Sequence, residues 1–499
     1  MDGARPTPAA KSAPPQRQHG HRLTEGPITP TLFWFSLPVL GGNVLQSLNG
    51  SVNAIWVGRF IGEAGITATA NANLVLFFLL GAVFGVGMAG TIMVGQAMGA
   101  KDLDGAKRVV GTSATFFGAV SLLVAIFGFV FTPRILAGFG TPGDALPMAV
   151  IYLRIIFVAL PAIYLNNYLM MILRGAGDAR TPLIFMFVSV MLDAGLNPFL
   201  IKGIGPFPQM GIAGAATSTF IGQVASLIGM LTYIYARRLP LRLVGHELAY
   251  LKPDLVILRT TIIKGLPMGL QMIVISGSAI AVMGMVNAYG IVTAAAYGVA
   301  AQIWTYIQMP AMAIGAAASS MAAQNVGAKQ WRRVELTARA GVIINLFLTG
   351  ALVTAVYFAE NPLLQLFLPG HADAIAAASH MNWIIAWSFI LFGVTFVLFG
   401  VVRSTGAVMP PLISLAISLL GVRLAFARLL EPVWGADALW WSFPVSMAVS
   451  VALAFGYYRW GGWRKARMGP PVRESGEADA TGLATPAMDA MCPEAVECD

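Results

Sequence analysis

Twelve predominantly apolar stretches dominate the chain, at 32–57, 67–97, 110–132, 149–172, 182–201, 211–236, 262–287, 294–326, 338–358, 376–401, 409–427 and 439–458. Each approaches or exceeds the roughly 20 residues needed to cross a bilayer. In hydrocarbon every backbone polar group must be paired within the protein, so long apolar runs of this kind cross as helices. The expected fold is therefore an all-α integral membrane protein with twelve transmembrane helices. Composition agrees, because 57% of the residues are hydrophobic and only 11% charged, far from a soluble globular chain. The windows at 67–97 and 294–326 are longer than one straight crossing and predict tilting, bending or extension beyond the membrane.

Twelve spans leave both termini on one side, and the basic residues identify it. Of the 31 Lys and Arg, 24 lie on that side: in the N-terminal tail, at 101–108, 174–180, 237–264 and 329–333, at Arg403, and from Arg459 to Arg473. The opposite loops hold Arg59, Arg134, Lys202 and Arg428, while Arg154, Arg339 and Arg423 lie inside spans or at their margins. The positive-inside rule places both termini in the cytoplasm. The net charge of +9 is spread over short loops next to the membrane, where topology and anionic lipid account for it; no nucleic-acid partner is expected. Residues 1–30 read as a disordered tail without a signal-peptide core, and 461–499 as a second disordered tail whose Cys492 and Cys498 are expected to remain free thiols.

The chain repeats itself. A shift of 229 residues places Leu37-Pro38-Val39 on Leu266-Pro267-Met268, Arg174 on Arg403, Gly177 on Gly406, and Thr181-Pro182-Leu183 on Pro410-Pro411-Leu412. A shift of 228 places Gly95-Gln96-Ala97-Met98-Gly99-Ala100-Lys101 on Ala323-Gln324-Asn325-Val326-Gly327-Ala328-Lys329. Two six-span lobes follow, 31–236 and 262–460, joined by a basic linker at 237–261. An even number of spans per half makes them parallel repeats about an axis along the membrane normal, an arrangement suited to alternating access. Gly81, Gly85 and Gly90 allow close helix packing, and Pro38, Pro161, Pro267 and Pro310 are candidate kinks.

Asp193 is the only carboxylate well inside a span. A charge near the bilayer centre costs at least about 2.5 kcal/mol and marks a functional-site candidate. Eleven residues beyond Pro182, it lies about 16 Å along its helix, near the midplane. Asn197 and Ser189 share its face. Gln46, Asn49 and Asn53 form a stripe on the first span, Asn166 and Asn167 add amides on the fourth, and Thr217, Thr219 and Gln223 add polar groups on the sixth. Convergence of these faces makes a first-lobe coupling site of Asp193, Asn197, Asn53, Asn166, Asn167, Thr217 and Thr219, with Gln46, Asn49 and Gln223 beside it as substrate-cavity residues. Burial disfavours an ionised carboxylate, so Asp193 is suited to alternate between binding and releasing a proton. One carboxylate among neutral oxygens is equally suited to Na+, and no other metal site and no cofactor are expected. In the second lobe Gln271, Gln302, Trp304, Tyr306 and Met309 form an amide and aromatic wall fit for a flat organic cation. Arg423, at the repeat position of Ala194, either faces the cleft or snorkels outward. An intramembrane enzyme is excluded by chemistry: His19, His21, His246, His371 and His380 lie in tails, loops or a span end, and no second acid accompanies Asp193.

Leu37-Pro38, Val57-Gly58-Arg59, Gly95-Gln96 with Gly99-Ala100, Leu173 through Asp178, Leu196-Asn197-Pro198, Gly205-Pro206-Phe207-Pro208, Met210 through Ala216 and Ala323 through Ala328 together resemble the multidrug and toxic compound extrusion (MATE) transporters, nearer the DinF-like branch than the NorM-like one. The resemblance covers about residues 30–460. It implies two six-helix lobes forming a V and export of organic, often cationic, compounds by antiport with H+ or Na+, from a monomer in a bacterial cytoplasmic (inner) membrane. Its partners are then small organic substrates and the lipid bilayer. A lipid-linked-precursor flippase of the same superfamily is the alternative, and it calls for a cationic cavity. Three departures stand out. Relatives commonly carry Asp just ahead of the Val-Gly-Arg turn, where this chain has Asn53. Asp193 and Asn197 are exchanged relative to the usual order. Spans seven and ten hold no acid, the aligned position on span seven being near Ile275. A single negative charge in the pocket argues against two cations held together, which favours the proton.

Overall fold

The computed structural model describes residues 23–138, 141–367 and 370–468, without the side chains of 78, 80, 82 and 366. Most of the two tails, with Cys492 and Cys498, lies outside the described residues. The first lobe consists of α1 (Ile28–Phe60), α2 (Glu63–Gly99), α3 (Leu103–Gly138), α4 (Leu146–Gly175), α5 (Arg180–Lys202) and α6 (Ile212–Ala236). The second contains α7 (Leu255–Ala288), α8 (Ile291–Gly327), α9 (Trp331–Phe358), short α10 (Glu360–Phe367), α11 (Ala372–Ile385), α12 (Ser388–Arg403), α13 (Met409–Ala416), α14 (Arg423–Trp434) and α15 (Ala436–Trp460). A π-helical turn, Ile417–Val422, joins α13 to α14.

Among the described residues nine helices are long and apolar enough to cross a membrane, counting α13 to α14 as one, and α11 with α12 makes a tenth that bends by 44°. The single span expected at 376–401 is thus broken, with Trp387 at the start of its second half. α2, described without the side chains of 78, 80 and 82, is counted only from Val83 to Gly99, and α8 lies outside the count although it is described throughout. Buried against protein rather than lipid, α8 is built from small residues such as Ala311, Ala313, Ala317, Ala318, Ala322 and Ala323. Such a helix needs no lipid-facing stripe. α3, by contrast, exposes Leu123, Ile126, Phe127 and Val130.

The repeat survives in the backbone. Lys101 and Lys329 both take positive φ, at 61° and 58°, and Gly177 and Gly406 do so at 94° and 100°. At Gly406 an added Cβ would also lie 2.6 Å from the Arg467 carbonyl, so both conformation and space require glycine.

One end of the bundle holds Leu23 and Trp463, and here called the near end it is where the lobes are pinned together. α2 runs along α7 and α8, and α1 along α8 and α9. Gln96 Nε2 donates to the Ser404 carbonyl at 2.6 Å, and Gln324 Nε2 to the Gly175 carbonyl at 2.9 Å. A Cβ on Gly99 would lie 1.8 Å from the Gln324 oxygen, and one on Gly327 1.9 Å from the Gln96 oxygen. The duplicated Gln-x-x-Gly segments therefore clasp one another reciprocally, each glycine admitting the partner's backbone.

Both ends of the described chain join this seam. Residues 23–27, within the stretch expected to be disordered, are held by Asn325, which donates to the Leu23 carbonyl at 3.1 Å, and by Arg333, which donates to the Gly26 carbonyl at 3.0 Å. Trp463 is buried and its carbonyl accepts from Thr405 at 2.8 Å. Both predicted tails therefore extend too far into ordered chain. The linker packs on α3, where Tyr250 donates to Asp104 and Lys107 pairs with Glu247. Beside Lys107 the Glu247 carboxyl is held below its usual range.

Candidate functional site

Asp193 lies on α5, facing α1 and α6, and is 2% exposed. Three donors converge on it. Ser218 Oγ donates to Oδ1 at 2.6 Å, while Asn49 Nδ2 and Thr219 Oγ1 donate to Oδ2 at 2.9 and 3.0 Å. Hydrogen bonds to an ionised acceptor are the stronger kind, yet no cation from the protein lies within ion-pair distance among the described residues. The negative charge is solvated by neutral groups only.

One turn further along, Asn197 Nδ2 donates to Asn53 Oδ1 at 2.9 Å, and Asn53 Nδ2 to the Tyr152 hydroxyl at 3.3 Å. Each amide thereby has a set orientation, and Asn49 must present its N–H to the carboxylate because its oxygen would repel it. Two buried oxygens are left over: Asn49 Oδ1 and Asn197 Oδ1 have no hydrogen-bond partner. A buried acceptor without a donor is costly. Like the Asp193 carboxylate, these amide oxygens are hard donors of the kind a small cation takes. Among the described residues no three His, Cys, Asp or Glu side chains cluster as a transition-metal site would require.

The remaining sequence candidates divide into three groups. Asn166 Nδ2 donates to Gln223 Oε1 at 2.8 Å and its oxygen accepts from Ser226 at 3.3 Å, making a separate network between α4 and α6. Thr217 and Asn167 each bond back to their own helix, at Ala213 and Ile163. Gln46 is exposed. Ser218 and Tyr152 belong to the Asp193 cluster but were not among the sequence candidates, and Asn49 belongs to the carboxylate itself rather than to a cavity beside it. The run Thr217-Ser218-Thr219 offers three hydroxyls at 100° steps, and only packing selects which two point inward.

The aromatic wall expected in the second lobe does not form one surface. Trp304 is buried and its Nε1 donates to Asn382 Oδ1 at 3.1 Å, whereas Gln302 and Tyr306 are exposed. A step of two residues turns a helix by about 200°, which sends Trp304 to the opposite face. Met309 is buried, and Gln271 is buried where it accepts from Arg403 at 2.9 Å. Asn382 Nδ2 also donates to Glu360 at 2.9 Å. Glu360 lines an outer cavity of about 480 Å³ with Tyr357, Trp383, Trp387 and Trp441.

Two duplicated helical lobes pinned at one end, with a lone solvated carboxylate buried in one of them, define a membrane transporter. The comparisons agree at every level. The MatE family model matches residues 38–199 and again 267–429, and the two matches begin at the prolines superposed by the repeat. The chain is 34% identical over 436 residues to the probable multidrug resistance protein YoeA of Bacillus subtilis, covering 87% of this chain and 94% of the relative. To the multidrug export protein MepA of Staphylococcus aureus it is 25% identical over 387 residues, covering 77% and 83%. The fold matches a MOP superfamily transporter from Pyrococcus furiosus with a TM-score of 0.82 at 20% identity, over 89% of this chain and 97% of that one. The chain belongs to the MatE family of transporters.

Proposed function

We propose that this protein is a secondary active exporter of small organic compounds, with substrate efflux driven by counterflow of H+ or Na+ and Asp193 as the coupling group. The observation that carries the reading is the Asp193 cluster: a buried carboxylate with three neutral donors and two unpartnered amide oxygens beside it. Binding of a cation neutralises the buried charge and supplies the missing partner; its release leaves the charge exposed to the low-dielectric interior. The two states differ in electrostatic energy, so the ion has differential affinity for the conformations that solvate the site and those that do not.

The near end, which holds the basic loops, is on this reading the cytoplasmic side. The Gln96–Gln324 clasp is then an inner gate in its closed position, and alternating access proceeds by opening it as the outer ends of the lobes approach. The names of YoeA and MepA support drugs as the substrate class. The decisive experiment is efflux from proteoliposomes with proton and sodium gradients imposed separately, using a panel of organic cations. The expectation is gradient-driven efflux in the wild type and its loss in Asp193→Asn at equal incorporation. Wild-type efflux by that variant would remove Asp193 from the mechanism.

A further inference from the structure

The second lobe contains a site built from the corresponding helices with the opposite charge. Under the 229-residue shift Asn49 of α1 corresponds to Ser278 of α7, and Ala194 of α5 to Arg423 of α14. Aligned on their glycines Gly211 and Gly435, which share φ near 56° and 57°, α6 and α15 place Ser442 at Ser218 and Ser446 one turn further on. Arg423 is 6% exposed, so it does not snorkel outward. Its Nε donates to Ser446 Oγ at 3.0 Å, its Nη1 lies 3.5 Å from Ser278 Oγ, and its guanidinium stands 4.2 Å over the Phe443 ring.

The π-helical turn explains why residue 423 occupies this place. α5 runs unbroken through Asp193, but its counterpart carries the π turn Ile417–Val422 just before Arg423. A π turn takes up one extra residue, so the inward face advances by one position and passes from Val422, the counterpart of Asp193, to Arg423. The site is therefore a register-shifted copy of the first-lobe site, reached by α7, α14 and α15 as the other is by α1, α5 and α6.

Its electrostatics are incomplete. Ser446 and Ser278 direct their own hydroxyl protons to the carbonyls of Phe443 and Leu419, so they offer Arg423 lone pairs but no charge. Nη2 is buried without a partner. No carboxylate lies within ion-pair distance among the described residues. A buried ion without a counter-charge bears a desolvation cost of several kcal/mol. Arg403 is also buried and also leaves nitrogens, Nε and Nη2, without a partner, but it has Gln271 as partner and the C-terminal end of α12, where the helix dipole favours a cation. Arg423 has neither.

We propose that Arg423, held in place by Ser278 and Ser446, is an anion-binding group in the second lobe, taking a small inorganic anion or the carboxylate of an organic one. The guanidinium supplies the charge and the free Nη2–H the directed hydrogen bond. The inference rests on the repeat and on Arg423, and is independent of whether Asp193 couples transport.

The test is thermal unfolding of the purified full chain at constant ionic strength, with the bulky sulfonate HEPES as reference and chloride, bromide, phosphate and benzoate as probes. The expected result is a saturable rise in Tm with at least one probe, lost in Arg423→Gln and weakened about tenfold in half-saturation by Ser446→Ala. Saturation by chloride or bromide assigns the site to an inorganic anion. Response to benzoate alone, with benzoate competed by transported compounds, assigns it to substrate. Wild-type protein that responds to none of the four probes overturns the proposal whether or not Arg423→Gln folds. Equal response in wild type and a folded Arg423→Gln overturns it as well. Asp193→Asn should retain the anion response while losing driven efflux, which separates failure here from failure of the coupling reading.

Discussion

The Asp193 and Arg423 sites show how a duplication that preserves helices can reverse chemistry. In the first lobe hydroxyl and amide hydrogens point at a carboxylate; in the second, hydroxyl oxygens point at a guanidinium. Short polar side chains serve both, because a hydroxyl donates or accepts as its neighbour requires. The packing frame is therefore indifferent to the sign of the charge it surrounds. What differs is register: one unbroken helix, one with a π turn.

The largest expected difference between the sites is functional. Asp193→Asn should abolish gradient-driven efflux, whereas Arg423→Gln should leave ion-driven efflux of organic cations measurable in the same proteoliposomes. Abolition by both, at equal incorporation, would break the view that coupling is one-sided. Next is the clasp between the lobes. Gly99→Val and Gly327→Val should each prevent closure of the near end, because a Cβ alone would overlap a backbone oxygen at 1.8 or 1.9 Å. Cross-linking of cysteines introduced across the Gln96–Gln324 seam should fall in both to a similar degree; a strong inequality would show that the clasp is not reciprocal.

A smaller effect is expected at the serines. Ser218→Ala removes a hydrogen bond that stabilises the cation-free carboxylate, worth about 1.5–3 kcal/mol, and should lower the ion concentration for half-maximal efflux at least tenfold. Ser446→Ala should leave that concentration unchanged, sharpening the division of labour. The smallest effect belongs to Asn167→Ala, whose side chain bonds only the Ile163 carbonyl of its own helix. Efflux should stay within about twofold of wild type, consistent with a local bond of less than about 1.5 kcal/mol.

Much of the fold was legible, and the gaps have physical causes. Hydropathy located the helices that face lipid, since those must be apolar for 20 residues or more. It was least informative at α8, whose small residues reflect burial between lobes, and at the bend between α11 and α12, where no proline or glycine stands at the break. Helical periodicity put Asn49, Asn53, Asp193 and Asn197 on converging faces. It left Ser218 unmarked between two threonines and grouped Trp304 with residues that turn out to face away from it. The ordered ends at Leu23 and Trp463 escaped notice because their partners, Asn325 and Thr405, are about 302 and 58 residues away, and a polar or basic segment shows no periodicity before it docks.

The sequence alone determined the class, the duplication and the identity of the lone carboxylate, because each follows from local rules: the length of apolar runs, the recurrence of residues at a constant shift, and the cost of a charge in hydrocarbon. Tertiary structure decided which polar groups surround Asp193, that Arg423 turns inward to a matching frame, and that Gly99 and Gly327 are the points where the lobes touch. These depend on helix rotation and on contacts between distant segments, for which a step of 100° per residue is too fine to be read from pattern. A π turn of six residues moved the inward face by one position, and with it the charge at the heart of the second lobe.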